Sequence, residues 1–493
     1  NTLSSLSLNY ANTFFNDHNI AATLVYEQSH QTGDNFYAQR DTEIPVDYLF
    51  GGLPNGQMQG GMDINGLNDI AFQSIIGRLN YDYKGKYLAE FIFRRDGSNK
   101  YQPGTSDQFG FFPGVSVGWV VTKENFFRNL IPENILGSLK FRASYGKQGD
   151  ERGRAFNYLS GFNYPVNSYI FGSSAVNGSS QRLGNPGLSW AVNTKKNIAV
   201  DFSFLGGKLD GTFEVFRSDR TGLEATPAVA LPGTVGADVP QININSDRVQ
   251  GMDLILSHRS TIGNVGLNIS GNIGTTRAQW LNILQGRAGN ERENWKNGQV
   301  NRYQNIWWGP EYAGQFTNYQ QIYNYGVNMG GGNNGVIPGD YYYQDWNEDG
   351  EINDKDDHPI ATNDIPLVNY GMSIGVAYKG FDVNVLLQGA AGVYVQYDEL
   401  FAEPLAFERS SLTRFLDSWH TVDPNANIYD PNTQWTPGFY PAMGSPRAKG
   451  TKAVQNASYL RVKTLELGYT IPAAALQKIG VKKLRVYVNS YNL

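Results

Sequence analysis

The chain of 493 residues has no cysteine, so disulfides and thiolate sites drop out, and a periplasmic or exposed setting is a compatible though weak inference. Charge is sparse: 17% of residues are ionic and the formal net charge is −5, which leaves no basic footprint for nucleic acid. No run of about 18 apolar residues occurs, so no membrane-spanning helix is encoded. That absence leaves strands open, since a transmembrane strand needs only about 9 to 11 residues with alternate side chains apolar. Such a pattern hardly raises the mean hydropathy, here −0.41. The chain opens at Asn1 without initiator Met or signal peptide, and reads as cut at the front.

What is abundant is Gly (56), Tyr (30) and Phe (26), the composition of many strands and polar loops. Alternation is the dominant pattern. Ile20, Ala22, Leu24 and Tyr26 share one face, and Thr23 and Glu27 the other. Leu139, Phe141, Ala143 and Tyr145 oppose Lys140, Arg142 and Ser144. Ile198, Val200, Phe202 and Phe204 run into a Gly206-Gly207 turn, after which Leu209, Phe213 and Val215 carry the pattern back. Phe381, Val383, Val385 and Leu387 repeat it. The runs add up to roughly fourteen strands of about 9 to 13 residues, the length of a tilted outer-membrane strand.

The links alternate in length. Short turns fall at Lys84-Gly85, Gly206-Gly207, Ile262 to Asn264 and Lys379-Gly380. Between them lie links from Gly97 to Gln108 up to Arg277 to Pro366. Outer-membrane barrels segregate loops by side in this way, with short periplasmic turns and long extracellular loops; soluble sandwiches rarely do. "TKENFFRNLIPENILG" and "IPAAALQKIGVKK" are periplasmic links long enough for a helical turn. The expected fold is all-β, a transmembrane antiparallel barrel. A sheet in lipid tolerates no unpaired edge, and the chain stops within the strand-like "RVYVNSYNL". Residues 1–493 are therefore expected to be part of a larger barrel.

The stretch "DWNEDGEINDKDD" carries a chemical motif. A twelve-residue calcium loop places oxygens at positions 1, 3, 5, 7, 9 and 12 with Gly at 6. Here these are Asp345, Asn347, Asp349, the carbonyl of Glu351, Asn353 and Asp356, with Gly350 at the turn and Ile352 able to pin the loop inward. The shorter Asp at position 12 demands a tighter loop for bidentate reach. The expectation is a structural Ca²⁺ at 345–356 within extracellular loop 277–366; the alternative is a solvated Asn/Asp/Gly turn without an ion.

Other features weigh less. Gly114 to Gly118 spells the nucleophile pattern G-x-S-x-G, but "WVV" continues the strand beyond it, so Ser116 reads as a wall residue. The five histidines show no metal-ligand spacing. Trp119, Tyr145 and Tyr469 near strand ends suit an interface girdle. Arg94, Arg95, Lys140 and Arg142 are assigned to the polar face. Trp307, Trp308 and Tyr312 in "IWWGPEYAGQF" are candidates to stack on a substrate, although filling the core of a large loop is the favoured role.

Seven blocks in order resemble the SusC/RagA family of TonB-dependent outer-membrane transporters: "NYDYKGKYLAEFIFRRDGSNKY", "GFFPGVSVGWVVTKENFF", "SLKFRASYGKQGD", "NPGLSWAVNTKKNIAVDFSF", "YQDWNEDGEINDKDD", "SYLRVKTLELGYTIP" and "LRVYVNSYNL". The resemblance implies a barrel of about 22 strands around an N-terminal plug, with a TonB box before the plug, neither of them in this sequence. It also implies a SusD-like surface lipoprotein as partner, energy from TonB with ExbB and ExbD, and the outer membrane of a Gram-negative cell of the Bacteroidota kind as location. The expected function is import of oligosaccharides or oligopeptides without covalent catalysis. The rival is a barrel scaffold within a larger envelope or secretion assembly.

Overall fold

The computed structural model describes residues 1–42, 59–61, 68–151, 153, 155–163, 169–176, 179–227, 237–362, 364–397, 402, 404–405, 410–446, 448–476 and 480–493. The chain divides into two compact units, residues 1–252 with 278–286, and 253–277 with 287–493.

Fourteen long strands form one sheet in sequence order. They are β1 (Thr2–Phe14), β2 (His18–Gly33), β3 (Asn68–Tyr83), β4 (Tyr87–Ser98), β5 (Phe109–Val120), β6 (Leu136–Asp150) and β7 (Ala191–Phe204). After them come β8 (Leu209–Ala225), β9 (Ile242–Ile262), β10 (Val265–Asn282), β11 (Val368–Tyr378), β12 (Phe381–Ala391), β13 (Tyr459–Thr470) and β14 (Arg485–Tyr491). The count matches the sequence reading. Several strands are longer than expected, because β8, β9 and β10 continue past the length needed to cross a bilayer.

Register shows why the alternation matters. Ala143 pairs with Ile198, Phe141 with Val200, and Ile198 in turn with Val215. Val117 pairs with Ala143 and Ala89 with Val117. These positions lie on one face, and that face is bare: Ile198 is 67% exposed and Val117 53%. A soluble sheet would bury such a face; the apolar solvent it awaits is lipid.

The other face is polar and cross-linked. Arg142 Nε meets Asp201 Oδ2 at 3.2 Å while its terminal nitrogen meets Glu214 Oε2 at 2.8 Å. Arg78 Nε donates to Glu90 Oε2 at 2.7 Å, and Arg94 to Asp96 at 3.1 Å. In the second unit Arg485 bridges Asp382 and Glu466. The pairs that join neighbouring strands lock register, whereas Arg94 and Asp96 lie two residues apart in β4; all of them neutralise each other in a place where solvation is incomplete.

One assignment is corrected. Arg95 lies on the apolar face, opposite Phe111, with its guanidinium 4.5 Å from the centre of the Phe109 ring. Adjacent residues of a strand point to opposite faces, so Arg94 and Arg95 cannot share one. Near the strand end, an arginine lays its stem on aromatics and its head toward water.

Ser116 sits within β5, between Glu90 and Ser144, as a wall residue should. The two longer links hold short helices, Asn125–Leu130 and Ala473–Leu476, as expected; residues 477–479 of the second lie outside the described residues. At the opposite end of the strands in the first unit, Tyr101, Phe112, Leu188 and Trp190 form a buried cluster.

Candidate functional site

The acidic loop of the second unit is shaped by its own side chains. Gly350 (φ 83°) and Glu348 (φ 58°) turn the chain in the left-handed region, which Gly adopts freely. Asp345 accepts the Asp349 N–H at 3.2 Å and the Gly350 N–H at 2.7 Å. Asn347 donates to Asp349 Oδ2 at 2.9 Å, and Asp349 Oδ1 accepts the Glu351 N–H at 3.0 Å. The Asn347 amide, then the Glu351 N–H and Lys355, hold the Asp349 carboxyl below its ordinary range.

Asp356 is wholly buried and accepts the N–H groups of Trp346 at 3.0 Å and Asn353 at 2.8 Å. Its carboxylate has no cationic side chain against it among the described residues. Outside the loop, Asn328 donates to the Gly350 carbonyl and accepts from Ile352, each at 2.8 Å. Trp346 stacks on His358 with centroids 4.1 Å apart.

The donor set suits a hard cation: carboxylate, amide and carbonyl oxygens only, with one buried carboxylate whose negative charge two N–H groups offset in part. Among the described residues no group of three Asp, Glu or His side chains stands at metal-holding spacing. The N–H contacts take one lone pair from each oxygen of Asp345 and Asp356, and two from Asp349 Oδ2, which meets both Asn347 and Lys355.

The three aromatics singled out from sequence pack against the protein. Trp307 lies half-buried in the strand Ile306–Gly309, which pairs with His358–Thr362. Trp308 meets the Trp295 ring edge-on at 4.7 Å, with the Arg302 guanidinium 5.2 Å from its centre. Tyr312 lies edge-on to Tyr341 at 5.6 Å under the Lys452 ammonium. Phe316, Tyr319, Ile322 and Ile337 make the buried centre of this loop.

Trp308 and Ile352 also line a cavity of 550 Å³, together with Asp340, Tyr341 and Tyr343. Burial raises the Asp340 carboxyl above its usual range and pushes the Tyr343 hydroxyl up to about 12.

The first unit has two larger concavities. One of 950 Å³ opens on the polar face near the short turns, with Ala11, Ser116, Lys140 and Arg142 in its lining. The other, of 680 Å³, lies at the long-loop end and includes Arg182, Arg220, Glu224, Asp247 and Trp280. Sequence reasoning passed over these five residues. The parity of Arg220 and Glu224 along β8, Asp247 along β9 and Trp280 along β10 was legible, but the loop segments that meet them, Arg182 among them, were not.

No protein-family profile matches the chain. Curated relatives do. It is 24% identical to TonB-dependent receptor P3 of Formosa agariphila over 100% of this chain and 48% of that protein. To TonB-dependent receptor SusC of Bacteroides thetaiotaomicron it is 26% identical over 80% of this chain and 37% of that protein. The chain thus spans less than half the length of these relatives. Among solved structures, that of the RagAB peptide transporter superposes with TM-score 0.71 at 19% identity, covering 100% of this chain and 51% of that one. This likeness establishes the fold alone, an antiparallel β-barrel wall like that of the RagAB transporter.

Proposed function

Kinship with the SusC/RagA family of TonB-dependent receptors is the premise from which we propose that this chain supplies wall and outer loops to a nutrient importer. Its setting is the outer membrane. The cargo is an oligosaccharide or oligopeptide, captured beneath a SusD-like surface lipoprotein and released inward when TonB, driven by ExbB and ExbD, displaces a plug.

The observation that carries this reading is the pair of faces. Bare apolar side chains such as Ile198 and Val215 stand on one side of the sheet, and Arg142, Asp201 and Glu214 on the other. Such a wall separates lipid from a wet lumen. β1 and β14 each have one neighbour among the described residues. Lipid forbids such edges, so further strands complete the ring in the whole protein.

The 345–356 loop is proposed to hold a structural Ca²⁺. Asp345, Asn347, Asp349, Asn353, Asp356 and the Glu351 carbonyl would hold it, the ion supplying charge compensation for Asp356. It would stiffen a long surface loop that has only a small core of its own.

Deletion of the gene tests the main reading. Loss of growth on one glycan or peptide class, restored by the full-length gene, is the expected result. Unchanged growth on all of them together with faulty envelope assembly would instead establish the scaffold role.

A further inference from the structure

The loops of the second unit enclose a further concavity, of 290 Å³, where three stretches of chain meet. Each of the three cavities above carries ionic side chains in its lining. This one, among the described residues, has none.

The first stretch is the short helix Tyr319–Tyr323, whose start Asn318 caps by accepting the Gln321 N–H at 2.8 Å. Positions three and four apart share one side of a helix, so Tyr319, Ile322 and Tyr323 line the hollow together. Tyr319 and Ile322 are buried, whereas Tyr323 is 64% exposed, its ring braced by that of Tyr319 at 6.0 Å. The buried side is fixed by neutral bonds: the Tyr319 hydroxyl donates to the Ile428 carbonyl, and the Tyr325 hydroxyl to the Tyr343 carbonyl at 3.0 Å. Burial pushes the Tyr319 hydroxyl up to about 12. It therefore stays a donor at neutral pH.

The second stretch turns through Gly332 (φ 68°) and Asn333 (φ 64°), left-handed positions that Gly and Asn tolerate. The Asn333 amide is committed to that turn, accepting the Met329 N–H at 2.6 Å and donating to the Val327 carbonyl at 2.9 Å. Asn334 Nδ2 donates to the Gly331 carbonyl at 3.0 Å, which leaves Asn334 Oδ1 open. The third stretch brings in Tyr429, 56% exposed. Its neighbour Asp430 accepts two N–H bonds from Asn432 and stays outside the lining.

Two solvent-reached phenol rings and an open amide oxygen thus stand around a fixed, uncharged floor. An ionic group entering here would shed water and meet no counter-ion. An aliphatic side chain would strip water from hydroxyl and amide groups and return no hydrogen bond. A sugar ring answers both: its C–H face packs on a phenol ring, and its hydroxyls donate to Asn334 Oδ1 and exchange bonds with the tyrosine hydroxyls.

We propose that this pocket is a subsite for one neutral sugar unit of an oligosaccharide, held by Tyr323, Tyr429 and Asn334. The inference deepens the import reading by naming the class of cargo, and rests on that reading for its place in uptake.

The test uses the full-length receptor purified in detergent. Calorimetry is run against neutral fragments of α-glucan, β-glucan, xylan and mannan, against an oligogalacturonate as anionic control, and against neutral, acidic and basic peptides. The expected result is binding of one neutral saccharide, weakened about tenfold or more by Tyr323→Ala and by Tyr429→Ala. Both rings are exposed, so unfolding midpoints should not move. Tyr323→Phe keeps the platform and loses only the hydroxyl; a smaller loss of affinity is expected, and it serves as the readout should an alanine variant destabilise the loop.

Binding of a peptide or of the oligogalacturonate that the same variants weaken overturns the ligand class. Saccharide binding indifferent to the variants, or none from any panel, overturns the subsite. Gene deletion separates the two readings. Variant-sensitive binding with no growth phenotype on deletion keeps the subsite and sinks import, whereas a growth phenotype beside variants that bind like the wild type keeps import and sinks the subsite.

Discussion

The indole N–H of Trp119 donates to Glu124 Oε1 at 3.2 Å, while the other oxygen of that carboxylate takes the Lys86 ammonium at 3.2 Å. The last turn of β5 is thus tied to the start of β4 across a short link. An amphipathic ring at a membrane interface gains from exactly one polar tether and one apolar side. Trp119→Phe keeps the ring and removes the tether, at a cost of about 0.5–1.5 kcal/mol. Trp119→Ala loses both and costs more. Unfolding midpoints in detergent rank the three proteins; equal midpoints would deny Trp119 a girdle role.

Neighbours on β5 provide the sharpest test of the two faces. Val117 stands on the apolar face and Ser116 on the polar one. Val117→Lys puts an ammonium on the lipid side two residues from Trp119, at a cost below the roughly 2–4 kcal/mol of the bilayer midplane. Ser116→Lys meets water. Folding into lipid vesicles, followed by gel mobility with and without heating, should fail or weaken only for the first.

The calcium proposal has an optical readout. Trp346, 46% exposed, lies within the loop, so Tb³⁺ in place of Ca²⁺ should luminesce on indole excitation and be displaced by Ca²⁺. Asp345→Ala and Asp356→Asn should each abolish the signal. Acid should do the same. Asp349 is depressed in the folded loop, so its contribution is present above the ordinary carboxylate pKa, about 4, and is lost as pH falls through the lower folded value. A loop equally resistant to proteolysis with and without chelator would refute a structural ion.

Gly450 joins two long loops of the second unit. Its φ is 55°, and a Cβ there would strike the Pro310 carbonyl, which accepts the Thr451 N–H at 3.1 Å. Next to it, Thr451 Oγ1 takes the Tyr312 N–H at 2.8 Å. Gly450→Ala should cost about 1–3 kcal/mol through strain and collision. It should also expose the loop from Trp307 onward to protease while leaving the strands intact. Unaltered digestion would show the contact to be incidental.

How much of this could be read in advance follows from range. Ile198, Val200 and Phe202 declare a face by spacing alone, because side-chain direction in a strand repeats every two residues. The short turns declare themselves through Lys84-Gly85, Gly206-Gly207 and Lys379-Gly380, where positive φ is required. The acidic loop is likewise local, the hydrogen bonds among residues 345–356 spanning at most ten residues. The face of Arg95 is local as well, since parity along the strand sets it opposite to Arg94.

Trp308 and Tyr312 belong to another class. Whether an exposed-looking ring meets cargo or its own chain depends on Trp295, Tyr341 and Lys452, and on which loop folds back to cover it. Arg220 with Asp247, and Glu224 with Gly153, are pairings of the same distant kind. The amino-acid order by itself determined the strands, their two faces, the alternation of short and long links, and the oxygen-rich loop, since each rests on periodicity or on neighbours a few residues apart. Only the tertiary structure decided which loop aromatics are sealed into cores, which ionic groups are paired, and where a pocket remains, because those outcomes depend on segments brought together across tens to hundreds of residues.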